Sequence, residues 1–334
     1  MIKNYWYAVA NSEQISKKPL GVRRFGLNLV LWRDSQGSIH CFEDRCPHRG
    51  TKLSLGHVVK DELQCAYHGF RYDGTGQCRL IPAIGADGKI PPNMRTRSFP
   101  VFENRGLVHL WWGEAAPIDK ALPWFEDFDD RGFTYIDTYM ESPVSFGRMM
   151  ESNLDFAHFP FVHPNYFTAV GNMAYAKNFK TVVNGDRIDF SGKFCGDTEK
   201  AHHDDSGVPV MGACLFPNMA MYPSPLDPHG NRVVAWICPV SERECWFNLR
   251  VYLAPGPFLF LKRLVQKHII LKVLWQKWVY RQDQRVMIPQ APGESGVDAD
   301  ILPCPSDSPI AHYLRMYREA LRKDQPESRK SIPA

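Results

Sequence analysis

The chain has 334 residues, 44% hydrophobic, 23% charged and 13% aromatic, and 40 Lys+Arg against 36 Asp+Glu give a net charge of +4. That length and apolar fraction bury a core and suit two domains or one large one, which excludes collagen-like, low-complexity and wholly disordered classes. The near balance of charge gives no case for nucleic acid as a partner.

The N-terminus, MIKNYWYAVANSEQ, lacks the apolar core and small-residue cleavage site of a signal peptide. Nine cysteines are scattered along the chain. An odd count with no secretory pattern suits reduced thiols, some of them metal ligands, in a cytoplasmic protein. From residue 1 to about 115 the texture is that of short strands parted by turns: LNLVLWRD, SIHCFED, LQCAYH, FRYD before GTGQ, and GLVHLWWG. No segment there has a helical period, so the expectation is an all-β domain over 1–115.

Around residue 116 the texture changes. Pro117, Pro123 and the acidic run WFEDFDD mark a linker, leaving 116–334 as a second domain of strands and covering helices. A helix is expected over about 145–158. Strand-like runs follow: TVVNGDRIDFSG, NMAMYPS, NRVVAWICPV and ECWFNLRVYLA. The most apolar stretch, 258–279, is interrupted by Lys262, Arg263, Lys267, His268, Lys272 and Lys277, so it does not span a membrane. Its apolar spacing suggests an amphipathic helix packed on a core, with a membrane-surface helix as the alternative. A helix, IAHYLRMYREALRK, precedes the polar tail. The overall class is α+β.

Two constellations carry chemistry. The first is Cys46-Pro-His48 and Cys65-Ala-Tyr-His68, sixteen residues apart. Each pair puts a thiolate and an imidazole on one loop, and two such loops converge on a metal. A tetrahedral zinc site is one reading. The alternation of residue types instead suits a dinuclear cluster, both thiolates on one iron and both imidazoles on the other. Gly50 and Gly69 permit the tight loops, and Tyr67 is placed to donate to a cluster sulfur. Cys41 and Cys78 do not fit the ligand pattern and read as small buried residues. The segments CPHRG and CAYHGFRYDGTG resemble the Rieske iron–sulfur domain. The resemblance implies a [2Fe–2S] cluster held by Cys46, His48, Cys65 and His68.

The second constellation lies in ESNLDFAHFPFVH, residues 151–163. On a helix Asp155 and His158 share a face. Pro160 then ends or bends that helix, so that His163 swings round to the metal His158 holds. Two imidazoles and one carboxylate make the facial triad of non-haem Fe(II) oxygenases. Asn153, Asp155, His158 and His163 together resemble the catalytic motif of the Rieske non-haem iron oxygenases. With the first motif, the resemblance spans nearly the whole chain. It implies that His158 and His163 bind iron and that the triad's carboxylate is Asp283, in WVYRQDQRVMIPQ. It also implies that Asp155 bridges cluster and iron, from one chain of a homotrimer to the next.

The resemblance further implies dioxygen as co-substrate, and electrons from NAD(P)H that arrive through a separate reductase or ferredoxin. The chain carries no dinucleotide-binding glycine motif of its own. Its length is closest to the vanillate-demethylase-like branch, so monooxygenation or O- or N-demethylation of a small cyclic molecule is expected ahead of ring cis-dihydroxylation or desaturation. Met149, Met150 and Phe159, with Asn153, are pocket candidates, although the methionines equally suit core filling. The run His202-His203-Asp204-Asp205 looks metal-like but sits in a polar stretch that reads as a solvated loop. Two other classes remain: an electron carrier with an inactive second domain, and a zinc-dependent structural module.

Overall fold

Many of the strand connections in the N-terminal region reverse over residues with positive φ. The computed structural model describes residues 1–85, 87–114, 117, 122–163, 173–196, 207–224, 227–255, 279–291, 293 and 304–324. It divides into two units, Lys3–Leu122 and Pro123–Ala334 together with Met1–Ile2.

The first unit holds β1 (Tyr5–Asn11), β2 (Leu20–Arg24), β3 (Leu27–Arg33), β4 (Ile39–Glu43), β5 (His57–Val59), β6 (Glu62–Gln64), β7 (Arg71–Tyr72), β8 (Cys78–Leu80), β9 (Ser98–Phe99), β10 (Val101–Asn104) and β11 (Leu107–Trp112). Among its described residues there is no α-helix. The strands form three sheets, ordered β1-β11-β10, β2-β3-β4-β9 and β5-β6-β7-β8. Two-residue turns close β2 to β3, β5 to β6 and β10 to β11, each with both central residues at positive φ: Phe25-Gly26, Lys60-Asp61 and Arg105-Gly106. Such turns match the right-handed twist of the flanking strands. The core joins Trp32, Phe42, Leu63, Phe70 and Tyr72 to Cys46, Cys65 and Cys78. Cys41 is buried on β4.

The second unit is built on β12 (Thr134–Ser142), β13 (Met173–Asn184), β14 (Arg187–Gly196), β15 (Val208–Leu215), β16 (Met219–Ser224), β17 (Asp227–Pro239) and β18 (Cys245–Leu253). They make one antiparallel sheet in the order β12-β18-β17-β16-β15-β14-β13. Residues Val233 to Cys238 of β17 are all buried, so this central strand is covered on both faces. On one face Trp124 stacks on Trp236 with centroids 6.2 Å apart. Arg250 lies across from Asp137 in the β12–β18 register and makes a buried bidentate pair with it, at 2.7 and 2.8 Å. The helices α1 (Phe146–Leu154), α2 (Phe159–Val162), α3 (Arg281–Met287) and α4 (Ser308–Lys323) complete the described part. Helix α1 packs on β16 and β17, and α4 on β13 and β14.

The helix expected over 145–158 is two helices with a break. Ser145 caps α1, its hydroxyl accepting from the Arg148 N–H. Leu154 ends it, because Asp155 takes an extended conformation and its Oδ1 accepts the Ala157 N–H at 2.8 Å. That local bond competes with helix continuation. Pro160 therefore does not break a helix. It sits in the first turn of α2, where its missing N–H costs nothing. The amphipathic stretch 258–279 and the 202–205 run lie outside the described residues, apart from Val279. The polar tail lies outside them from residue 325 onward. Among the described residues no helix is long and apolar enough to cross a membrane.

Candidate active site

Cys46 and Cys65 open two loops that repeat one backbone pattern. In each, the cysteine N–H donates to the carbonyl five residues on (Thr51 at 2.8 Å, Phe70 at 2.8 Å), and the glycine four residues on donates back to the cysteine carbonyl. Both glycines need positive φ to close the ring, 75° at Gly50 and 70° at Gly69. The loops differ in where the imidazole falls, third in one and fourth in the other. This brings His48 and His68 together, ring centroids 4.7 Å apart, both exposed, with His48 stacked on Phe70. The sulfurs go the other way, into the core, where Cys46 and Cys65 are each 2% exposed.

Burial pushes the Cys65 thiol above its ordinary value, with the Cys46 sulfur adding to it, while the N–H groups of Tyr67 and His68 pull it down. A bare thiolate is disfavoured there, and a metal is the countercharge that would hold both sulfurs deprotonated. The four residues thus fit a cluster with a buried sulfur-bound end and an exposed imidazole-bound end. Tyr67, the donor expected from sequence, makes no hydrogen bond to either cysteine sulfur among the described residues. That side chain is 60% exposed and lies against His68. Tyr72 takes the part instead, its hydroxyl 3.2 Å from Cys46 Sγ. The tip of the loop turns residue 67 outward with the imidazole, whereas β7 points residue 72 into the core.

The second site forms where α2 and α3 meet. His158 caps the start of α2, His163 follows its end, and Asp283 stands in the first turn of α3. One ligand atom from each of the three lies within 4.8 Å of the others. Asp283 Oδ1 is 2.9 Å from His163 Nε2 and 3.6 Å from His158 Nε2. That oxygen is buried and makes no well-aligned hydrogen bond. An orphaned carboxylate oxygen facing two imidazole nitrogens is the arrangement a divalent cation satisfies.

The outer nitrogens are also engaged. His158 Nδ1 is 3.3 Å from Asp155 Oδ2, and His163 Nδ1 is 2.8 Å from Gln282 Oε1. Each partner oxygen can accept a hydrogen bond from Nδ1, an arrangement that leaves Nε2 to face Asp283. Burial would lower the His163 pKa, but the Asp283 carboxylate and Gln282 outweigh it and hold it raised. Nothing in the local sequence singles out Gln282 beyond its place next to Asp283.

A cavity of about 110 Å³ adjoins the trio. Its floor is the sheet, where alternate residues Val233, Ala235 and Ile237 of β17 face the same way as Phe247 and Leu249 of β18. Met149, Asn153 and Phe159 line it. Met150 does not: one residue further round α1, it is fully buried in the core. Asn153 turns its amide back on its own helix, donating to the Met149 carbonyl at 2.8 Å. Asp155 faces a separate, more polar concavity of about 470 Å³, which it shares with His158, Asp283 and the buried Arg148–Glu151 pair. Arg315 and Arg318 of α4 line the same concavity. Tyr222 and Tyr280 also line the first cavity, and neither stands out in the sequence.

The four residues of the first unit fit a cluster, and the trio of the second unit could hold one metal ion beside an apolar cavity. Residues 5–100 match the Rieske [2Fe-2S] domain family. The chain is 35% identical over 185 residues to Protein TIC 55, chloroplastic, of Pisum sativum, covering 54% of this chain and 34% of that protein. It is 35% identical over 163 residues to the oxygenase component of dicamba O-demethylase from Stenotrophomonas maltophilia, covering 48% of each. The chain thus spans between a third and a half of the length of these curated relatives. Its fold is that of the Pseudomonas putida CBB5 NdmA QL mutant with caffeine, at a TM-score of 0.74 and 23% identity over 96% of this chain and 92% of that one. Residues 5–100 are thus a Rieske [2Fe-2S] domain by sequence, and the chain as a whole shares the fold of that NdmA structure.

Proposed function

We propose that the protein is the oxygenase component of a Rieske non-haem iron system and that it monooxygenates or demethylates a small organic molecule. One observation carries the reading: in a chain with a Rieske domain, the orphaned Asp283 carboxylate oxygen faces His158 and His163 at the wall of an apolar cavity. In this reading Cys46 and Cys65 hold the inner iron of the cluster, His48 and His68 the outer iron, and His158, His163 and Asp283 the mononuclear Fe(II). When bound, the cluster supplies electrons one at a time and the mononuclear iron supplies a site for dioxygen activation.

The chain's own residues do the rest. Asp155 accepts a hydrogen bond from His158 Nδ1 and keeps lone pairs towards the polar concavity, where an imidazole of a second copy reaches it in a homotrimer. Asn153 and Phe159 shape the substrate side, and the aliphatic floor keeps water from it. Electrons come from NAD(P)H through a separate reductase or ferredoxin. The dicamba relative, itself named as an O-demethylase oxygenase component, supports the choice of reaction. Nine free cysteines suit a reducing compartment, taken here as the cytoplasm.

Iron and acid-labile sulfide counts on anaerobically purified protein test the reading. Three irons and two sulfides per chain, with a mixed-ligand cluster signal on reduction and oxygen-dependent product formation, are expected. Two irons per chain would remove the mononuclear site, and a colourless zinc protein would remove the whole reading.

A further inference from the structure

A cluster held between two loops needs each loop closed at its base and the two kept in register. The second loop is closed by backbone alone. Strands β6 and β7 pair on either side of it, Leu63 with Tyr72 and Gln64 with Arg71. The first loop has no such ladder. It leaves β4 at Glu43 and runs into a short 3-10 turn over Leu53–Leu55. Among the described residues no backbone hydrogen bond joins 43–45 to 52–56.

A side chain closes the first loop instead. Asp44, 6% exposed, accepts the Ser54 N–H at Oδ1 and the Ser54 hydroxyl at Oδ2, both at 2.7 Å. Bonds to a carboxylate are roughly twice as strong as those between neutral groups. Strand β2 packs against this pair: a Cβ at Gly21 would stand 2.9 Å from the Ser54 hydroxyl oxygen. Two residues beyond Ser54, Gly56 lies directly against the carbonyl of Gln64, the residue before Cys65. The segment that Asp44 grips is therefore the one that abuts the base of the second loop.

We propose that Asp44 is a positioning residue of the cluster site. Its carboxylate clamps Ser54, closes the first ligand loop and sets that loop in register with the second, so that Cys46 and His48 face Cys65 and His68 across one cluster. The inference rests on the reading of those four residues as ligands. It goes beyond that reading by making cluster retention depend on a residue outside the ligand set.

The test uses the full chain with its cluster and three variants. Asp44→Ala removes both acceptors. Asp44→Asn keeps the shape and one acceptor oxygen but removes the charge. Gly21→Ala leaves residues 44–54 as they are and drives a methyl group against the Ser54 hydroxyl from β2. An iron chelator is added under argon and the loss of the cluster's visible absorption is timed. The thermal midpoint, the EPR spectrum of the reduced cluster and its reduction potential are measured beside it.

Cluster loss is expected to quicken roughly 100-fold in Asp44→Ala and roughly tenfold in Asp44→Asn, the range for losing a partner that holds a metal ligand in place. Gly21→Ala should quicken it several-fold while the thermal midpoint stays at or above that of the wild type, because alanine restricts the unfolded chain. The Cα atoms of Asp44 and Cys46, two residues apart, are separated by at most about 7.6 Å. Asp44→Asn takes a negative charge from beside the cluster, so the reduction potential should rise and the EPR spectrum shift. Wild-type retention in either Asp44 variant overturns the proposal, and so does wild-type retention in Gly21→Ala. Faster loss in the Asp44 variants with an unchanged potential and spectrum would mark a general loosening of the unit and overturn it as well. Should Asp44→Ala fail to fold, Asp44→Asn and Gly21→Ala decide. A wild-type chain that takes up no cluster would sink the ligand reading first, which keeps the two failures apart.

Discussion

The two candidate metal sites are built by opposite means. The cluster loops are local objects. All four candidate ligands fall between Cys46 and His68, the loops are closed by backbone hydrogen bonds, and the sulfurs share a core with the strands on either side. The mononuclear site is a tertiary object. Its candidate ligands flank or sit on two helices separated by six strands of sheet, and its geometry depends on side chains gripping side chains: Asp155 on His158, and Gln282 on His163. The first site is fixed by turn chemistry and the second by packing, so substitutions should disable them in different ways.

The largest expected effect is at Asp283. Asp283→Ala should leave the cluster spectrum and sulfide count unchanged while mononuclear iron and product formation fall below detection. Retained iron at that position would break the contrast by showing that the trio does not depend on its one carboxylate. Next comes Asp155→Asn, which keeps the shape but weakens the acceptor for His158 Nδ1. Cluster and iron should both stay, while oxygen-dependent product formation drops about 100-fold, the upper end for loss of a partner that orients a metal ligand. Stopped-flow reduction of the cluster, measured beside turnover, separates this from a folding defect.

A smaller effect is expected at Gln282. Gln282→Leu removes the acceptor at 2.8 Å from His163 Nδ1, and iron affinity should fall about tenfold, as a chelator titration would read. Unchanged affinity would mean that packing alone sets the His163 ring. The smallest is at Tyr72. Tyr72→Phe deletes the hydroxyl at 3.2 Å from Cys46 Sγ, which stabilises the more electron-rich reduced cluster. Iron and sulfide should be unchanged, and the reduction potential, read by redox titration, should fall. A rise in potential would contradict the hydrogen bond to sulfur.

That contrast also explains what could be read from sequence. The cluster ligands stand at short fixed spacings beside glycines that must adopt positive φ, so the residues themselves carry the geometry. Asp155 and His158 were legible as a pair three apart, yet the contact runs across a turn rather than along a helix, because the Asp155 carboxylate captures the Ala157 N–H. Pro160 was misread for the same reason: from sequence alone a proline that ends one helix looks like a proline that opens the next. Tyr72 rather than Tyr67 meets a cysteine sulfur because strand alternation, which aims residue 72 inward, begins only after the loop has turned residue 67 out. Tyr222 and Gln282 carried no signal. One reaches the cavity through the strand order of the sheet and the other through the meeting of α2 and α3, and neither fact is written near the residue concerned.

The order of the large sheet has a consequence for how the protein is made. Strands β13 to β18 each pair with their neighbour in the chain, a meander that closes step by step over short separations. Only β12 must wait, since its partner β18 lies at the far end of that run. Local pairings close faster than distant ones. His158 and His163 precede the meander and Asp283 follows it, so the three cannot meet until the sheet is complete. The two cluster loops, by contrast, both fall within the short stretch of chain from β4 to β7. During synthesis the chain is therefore expected to become competent for its iron–sulfur cluster well before it can retain the mononuclear iron, and uptake of that last iron marks a finished fold.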